Sequence, residues 1–255
     1  MYLQTHARIV SALLIREMST KFGSKPGGYI WALLDPAAHV ALLTLLFQVI
    51  ARVPALGTSF PLFFATGYIA FNFYSSTVNY LSSAVKGNKA LLNYPNVAPV
   101  DTVTARFILQ LGTMSVVAFI ILGAILLTLH TTPVLDWLVI IEAAMAASLL
   151  AVGVGMGNAV LFARFALYEK IYGIVTKPLM LMSGVFFLPD NIPHPFREFL
   201  LFNPLIHVVI LFRTGFYPEY RGDALNTQYM YSFIICTLFA GMLIFTRSAR
   251  VLRNE

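Results

Sequence analysis

The stretch "VLDWLVIIEAAMAASLLAVGVGMGNAVLFA", Val134 to Ala163, carries only two charged residues, Asp136 and Glu142. A helix needs roughly 20 apolar residues to cross the roughly 30 Å hydrocarbon core of a bilayer, and this run exceeds that length. Composition agrees: 58% of the 255 residues are hydrophobic and 11% charged, more apolar surface than one soluble domain can bury. Applied outward, the same length criterion marks Ile30 to Ala51, Phe60 to Leu81, Ala105 to Leu129, Ile171 to Leu188 and Tyr229 to Thr246, with Ile171 to Leu188 the tightest fit. The predicted fold is an all-α integral membrane protein, a single transmembrane domain over residues 1–255 with six transmembrane helices.

The formal net charge of +6 would suggest a nucleic-acid or acidic partner in a soluble protein. With the N-terminus placed inside, however, every basic residue except Arg52, Arg197, Arg213 and Arg221 falls on inside segments, among them all the lysines: Lys21, Lys25, Lys86, Lys89, Lys170 and Lys177. That is the lysine and arginine asymmetry of cytoplasmic loops. It predicts both termini in the cytoplasm and removes the support for a nucleic-acid partner.

Two segments are expected at the membrane without crossing it. Leu3, Ala7, Val10, Leu14 and Met18 recur at three- and four-residue steps, which predicts an interfacial helix and joint over residues 1–28. The region lacks the long apolar core and small-residue cleavage site of a secretory signal peptide. Pro189 to Tyr220 is apolar, but Pro193, Pro195 and Pro204 cut it into pieces too short to span, so residues 189–217 are expected as a re-entrant hairpin before the last span.

Several motifs invite sharper readings. In "KFGSKPGGYIW", Lys21 to Trp31, Gly23 and Gly28 have phosphate-loop spacing, but Tyr29 and Ile30 stand where lysine and a hydroxyl are required, so no nucleotide site is expected. "AVGVGMGNAV", Ala151 to Val160, has Asn158 where a dinucleotide fingerprint needs its third glycine. Gly153 and Gly157, and Ala147, Ala151 and Gly155, instead suit close helix packing. Cys236 has no partner cysteine and reads as an inert packed thiol. His39, His130 and His207 are isolated, so neither a catalytic set nor a metal site is expected. Glu142 lies inside a predicted span and reads as a proton-relay or channel group, or as a partner of Arg52 at the outer interface. An ion-coupled carrier would need more such charges and an internal repeat.

The second span holds Tyr68, Phe71, Asn72, Phe73 and Tyr74 among other aromatics and amides, and Phe186 and Phe187 lie near the end of the fifth. Ring faces stack on the apolar faces of sugars while amides and hydroxyls bond their hydroxyl groups, so these residues are candidates for a glycan channel; packing and interface anchoring compete as explanations. The loop after that span carries Lys86, Asn88, Lys89, Leu91 and Leu92 in a short helix-competent run ended by Pro95, suited either to docking in a partner's groove or to simple connection.

The run "REMSTKFGSKPGGYIWALLDP", Arg16 to Pro36, resembles the signature of inner-membrane permeases of bacterial ABC exporters for polysaccharides, most closely the capsular systems, with Phe22, Gly28, Trp31 and Pro36 at matching positions. "NYPNVAPVD", Asn93 to Asp101, and "FLLFNPLIHVVILFRTGFY", Phe199 to Tyr217, resemble further family segments, the latter through Asn203, Pro204 and Arg213 as a re-entrant gate. The resemblance implies a homodimer in the bacterial inner membrane that works with two cytoplasmic ATPase subunits. ATP and magnesium would sit on those subunits, with no cofactor on this chain. It also implies a lipid-linked acidic polysaccharide as cargo, a periplasmic and outer-membrane export partner, and coupling through Lys86 to Asn93. Export of another glycan, such as O-antigen or teichoic acid, is the neighbouring alternative.

Overall fold

The computed structural model describes the backbone at residues 2–23, 27–92, 94, 97–131 and 133–254, and the side chains at 6–21, 27–92, 94, 97–131 and 133–248. Pro26, Asn93 and Pro95, and the side chain of Phe22, lie outside the described residues. The described chain is helical throughout: α1 (Tyr2–Gly23), α2 (Ile30–Ile50), α3 (Phe60–Ser82), α4 (Ala84–Gly87), α5 (Lys89–Leu92), α6 (Pro99–Leu127), α7 (Trp137–Arg164), α8 (Ala166–Val175), α9 (Phe196–Leu201), α10 (Pro204–Thr214) and α11 (Thr227–Asn254). 3₁₀ turns occupy Lys177–Ser183 and Pro189–Asn191.

Local chemistry explains where these helices start. Asp136 accepts from the backbone N–H groups of Leu138 and Val139 at 3.1 and 3.2 Å, and Asn203 accepts from Leu205 at 3.1 Å with Pro204 at the first helical position. Both satisfy donors that a helix leaves orphaned at its N-terminus. Asp101 closes the start of α6 by accepting from Ala98 N at 2.9 Å. Between α1 and α2, Gly27 and Gly28 take φ of +89° and +50°, a left-handed turn that side chains resist, so the joint bends here.

Among the described residues, four helices are long and apolar enough to cross a membrane: Ile30–Ile50, Pro99–Leu127, Trp137–Arg164 and Thr227–Ser248. α3 is as long as these, at 23 residues, but Asn72, Ser75, Ser76 and Asn79 dilute its apolar character. It tolerates them because it is the enclosed helix of the bundle, packed against α2, α6, α7 and α10. Phe63, Phe64, Ile69 and Leu81 are all 1% exposed or less. The expected fifth span differs most. Residues 171–188 are not one α-helix: α8 ends at Val175, the chain tightens into the 3₁₀ turn with Pro178 near its start, and Gly184 at φ +74° turns it away. Proline removes a helical donor and left-handed glycine ends the run.

α7 and α11 form the closest pair. A Cβ on Gly241 would sit 2.1 Å from the carbonyl oxygen of Gly153, so the two backbones touch through glycine. Gly155 accommodates Leu81, whereas a Cβ on Gly157 would meet no neighbouring element within 4 Å among the described residues. Cys236 is exposed on α11 rather than packed. Glu142 accepts from the Tyr231 hydroxyl of α11, not from Arg52.

Candidate functional site

Because Cβ atoms three and four residues apart share a helix face, Tyr68, Phe71, Asn72, Ser75 and Asn79 of α3 form one stripe. With Tyr74 and Val78 they line one wall of a groove of about 370 Å³, whose other wall is Tyr172, Gly173, Thr176, Lys177, Leu179 and Met180. Tyr68 is stacked on His39 of α2, ring centroids 5.1 Å apart. The groove is therefore a trough of aromatic rings, amides and hydroxyls. Phe73, Phe186 and Phe187 do not line it. Phe73 points away from it into a separate apolar cavity, which Phe212 and Phe216 also line. Phe186 stacks on Phe47 at 6.1 Å, and the Phe187 carbonyl accepts from Arg213 at 3.2 Å. A run of neighbouring aromatics winds around the helix, so only part of it can face one groove.

Arg213 does not line the groove but holds the turn just beyond its Tyr68 end, the roof. It is wholly buried, and its fork donates to the carbonyls of Gly184 at 2.6 Å, Val185 at 2.8 Å and Phe187 at 3.2 Å while the guanidinium lies 4.2 Å from the centre of the Phe63 ring. Among the described residues no carboxylate reaches it, and its Nε has no partner. Gly67 makes room: a Cβ there would lie 2.6 Å from Arg213 and 3.1 Å from the Val185 backbone. Asn203 completes the roof by donating to the Met182 carbonyl and Ser183 hydroxyl, both at 3.2 Å, while Pro204 starts α10.

At the other end of α3, where the lysines gather, a buried charge cluster joins four elements. Glu17 of α1 accepts from Arg106 Nε of α6 at 2.9 Å, from the Tyr80 hydroxyl of α3 at 2.7 Å and from the Asn88 amide at 2.7 Å. Asn88 in turn accepts from Arg16 at 2.7 Å, and Arg106 donates to the Tyr80 carbonyl and Ser83 hydroxyl at 2.9 Å each. Lys21 donates to Gln110, which donates to Ser76 on the groove helix. Burial pushes the Glu17 carboxyl up, but the hydrogen bonds from Tyr80 and Asn88 and the charge of Arg106 outweigh it and hold the group below its ordinary range. Burial lowers the Lys21 ammonium to about 8, against the pull of Glu17 and with the push of Arg106.

The expected coupling residues divide between inside and outside. Asn88 and Leu92 are 2% and 3% exposed, Asn88 in the charge cluster and Leu92 in a small core with Leu81 and Val103, so Leu92 is no surface knob. Lys86, Lys89 and half-buried Leu91 remain at the surface, and Lys86 pairs with Glu169 of α8 at 2.5 Å. The expected single helix over this run is two four-residue turns, α4 and α5, hinged at Asn88. At the joint, Gly28 bends the chain, Trp31 is exposed and Pro36 is buried within α2. Sequence reasoning placed Arg16 and Glu17 in a recognisable run but missed their pairing with Arg106 and Asn88. Acid beside base in the amphipathic helix is the only local signal.

Residues 8–217 match the family model of the ABC-2 type transporter. The chain is 34% identical over 254 residues to the polysialic acid transport protein KpsM of Escherichia coli, covering 96% of this chain and 95% of that one. It is 23% identical to the capsule polysaccharide export inner-membrane protein CtrC of Neisseria meningitidis serogroup A, over 95% of this chain and 92% of the relative. It is 22% identical to the O-antigen export system permease protein RfbA of Klebsiella pneumoniae, over 91% and 88%.

Proposed function

The chain belongs to the ABC-2 type transporter family, and from that membership we propose that it is the membrane-spanning subunit of an ATP-driven exporter of capsular polysaccharide. The observation that carries this reading is the aromatic and amide groove along α3, in a chain similar over almost its whole length to transport proteins for such polymers. Rings stack on sugar faces and amides exchange hydrogen bonds with sugar hydroxyls, a sequence-tolerant surface along which a chain of sugars slides.

In this reading the protein crosses the bacterial inner membrane six times, with α3 and the α8–3₁₀ path added to the four apolar spans, residues 189–217 forming the re-entrant hairpin and both termini in the cytoplasm. Two copies face each other across a shared channel continuous with the groove. A dimer of ATPase subunits docks beneath α4 and α5 through Lys86, Lys89 and Leu91, and ATP with magnesium is bound there. Closure of that dimer pushes the turn at Asn88. Glu17 and Arg106 pass the push to α1, α6 and the base of α3, because one buried carboxylate ties all of them. Arg213, Asn203 and Pro204 hold the turn above the groove at the periplasmic side, where an outer-membrane partner receives the lipid-linked polymer.

The test is a clean deletion of the gene complemented by the wild-type chain. Polymer should accumulate in the cytoplasm and return to the surface on complementation. Normal surface capsule in the deletion overturns the reading, and loss of O-antigen with intact capsule favours the neighbouring glycan instead.

A further inference from the structure

The groove holds one charged residue, Lys177, at the start of the 3₁₀ turn. Counted along the sequence it belongs with the basic residues of an inside segment, but the structure moves it. At the basic end Glu169 meets Lys86. Further along, Tyr172 lies against Tyr74. At the roof Val185 packs on Gly67. Lys177 comes between Tyr172 and Val185, so it lies opposite the stretch between Gly67 and Tyr74, midway along α3. From Asn72 to the basic end at Ser82 is about 15 Å at 1.5 Å per residue, farther than a lysine stem reaches by snorkelling. The side chain is exposed to the groove and makes neither a hydrogen bond nor an ion pair among the described residues, and no Asp or Glu lines the groove.

An ammonium at this depth is costly unless it faces water or an anion. Every other polar side chain lining the groove is an amide or a hydroxyl, so the lining is neutral apart from this one cation; the Asp35 carboxylate lies near Tyr68 but does not line the groove. We propose that Lys177 is a specificity-determining residue, which pairs with the carboxylate or phosphate of a passing acidic polymer. The proposal rests on the reading of the groove as the polymer path. Rings and amides accept any sugar. A single fixed cation favours units that carry negative charge and, being alone, releases each one as the next arrives.

The experiment uses the whole transporter with its ATPase subunits in lipid nanodiscs and three labelled probes: an oligomer of sialic acid, the same oligomer with its carboxyl groups reduced to alcohols, and a neutral oligosaccharide on a phosphate-bearing lipid. Lys177→Gln should weaken binding of the first about tenfold, the loss expected when one charged hydrogen bond goes, and leave the second unchanged. Lys177→Arg should retain the preference, and added salt should narrow the difference between the first two probes. Weakening of the third probe alone assigns the anion to the lipid phosphate and upholds the pairing. Equal loss on the carboxylated and reduced oligomers, or no loss on any probe, overturns it. If the wild-type protein binds none of the three, the groove reading falls and takes the inference with it.

Discussion

Two buried arginines stand at opposite ends of α3, and they are neutralised in different ways. Arg106 meets a carboxylate, Glu17, supplied by a distant helix, and shares it with Tyr80 and Asn88. Arg213 meets no carboxylate among the described residues and is held by backbone carbonyls of a single turn and the face of Phe63. The difference teaches how each end can behave. A guanidinium caged by the carbonyls of one turn locks that turn. A carboxylate shared among side chains of four elements makes them move together, and it can be released by protonation or by one substitution.

The largest expected effect breaks the first half of this comparison. Arg213→Met strips three turn carbonyls of their donor in a buried setting and should cost about 4 kcal/mol, seen as a lower melting temperature in detergent. Arg213→Lys should recover little, because an ammonium cannot reproduce the planar fork. Full rescue by lysine would mean that charge alone, and not the fork, holds the roof.

Glu17→Gln should cost less, about 2–3 kcal/mol for an ion pair partly relieved by the nearby surface. Its sharper signature is functional: ATP hydrolysis by the assembled transporter should persist while polymer export falls. The pH dependence follows from the lowered folded pKa. The folded state binds fewer protons than the unfolded chain near the ordinary carboxyl value of 4.5, so the contribution is present above that value and disappears as pH falls through the lower, folded one. The stability gap between wild type and Glu17→Gln should close in that window, read by thermal unfolding across pH; a gap that stays constant would assign the cluster's stability to packing.

The smallest effect is expected outside the cluster. Lys86 and Glu169 form a pair with 41% and 45% of their side-chain surface exposed, so Lys86→Gln should change stability by only about 0.5 kcal/mol. A shift as large as that of Glu17→Gln would extend the coupled unit to α8.

Much of this architecture was legible in one dimension. Apolar length located α2, α6, α7 and α11, and the proline-cut segment before the last span emerged as short helices, because lipid and proline each act on the chain locally. Legibility failed where partners come from far along the sequence. Phe73 reads like its aromatic neighbours until the helix turns it away from the groove. Asn88 and Leu92 read as loop surface until α1 and α6 cover them. Lys177 reads as one more inside lysine until the 3₁₀ path carries it into the groove.

By itself, the sequence determined that this is a helical membrane protein with a polar, aromatic second helix, a broken segment before the last span and a basic side, since each depends on the solvent that a run of residues meets. Only the tertiary structure decided which aromatic rings share a groove with a lone lysine, and which acid neutralises which arginine. Those outcomes depend on helix rotation and on contacts between residues up to 150 positions apart, such as Arg213 and Phe63, which no local pattern encodes.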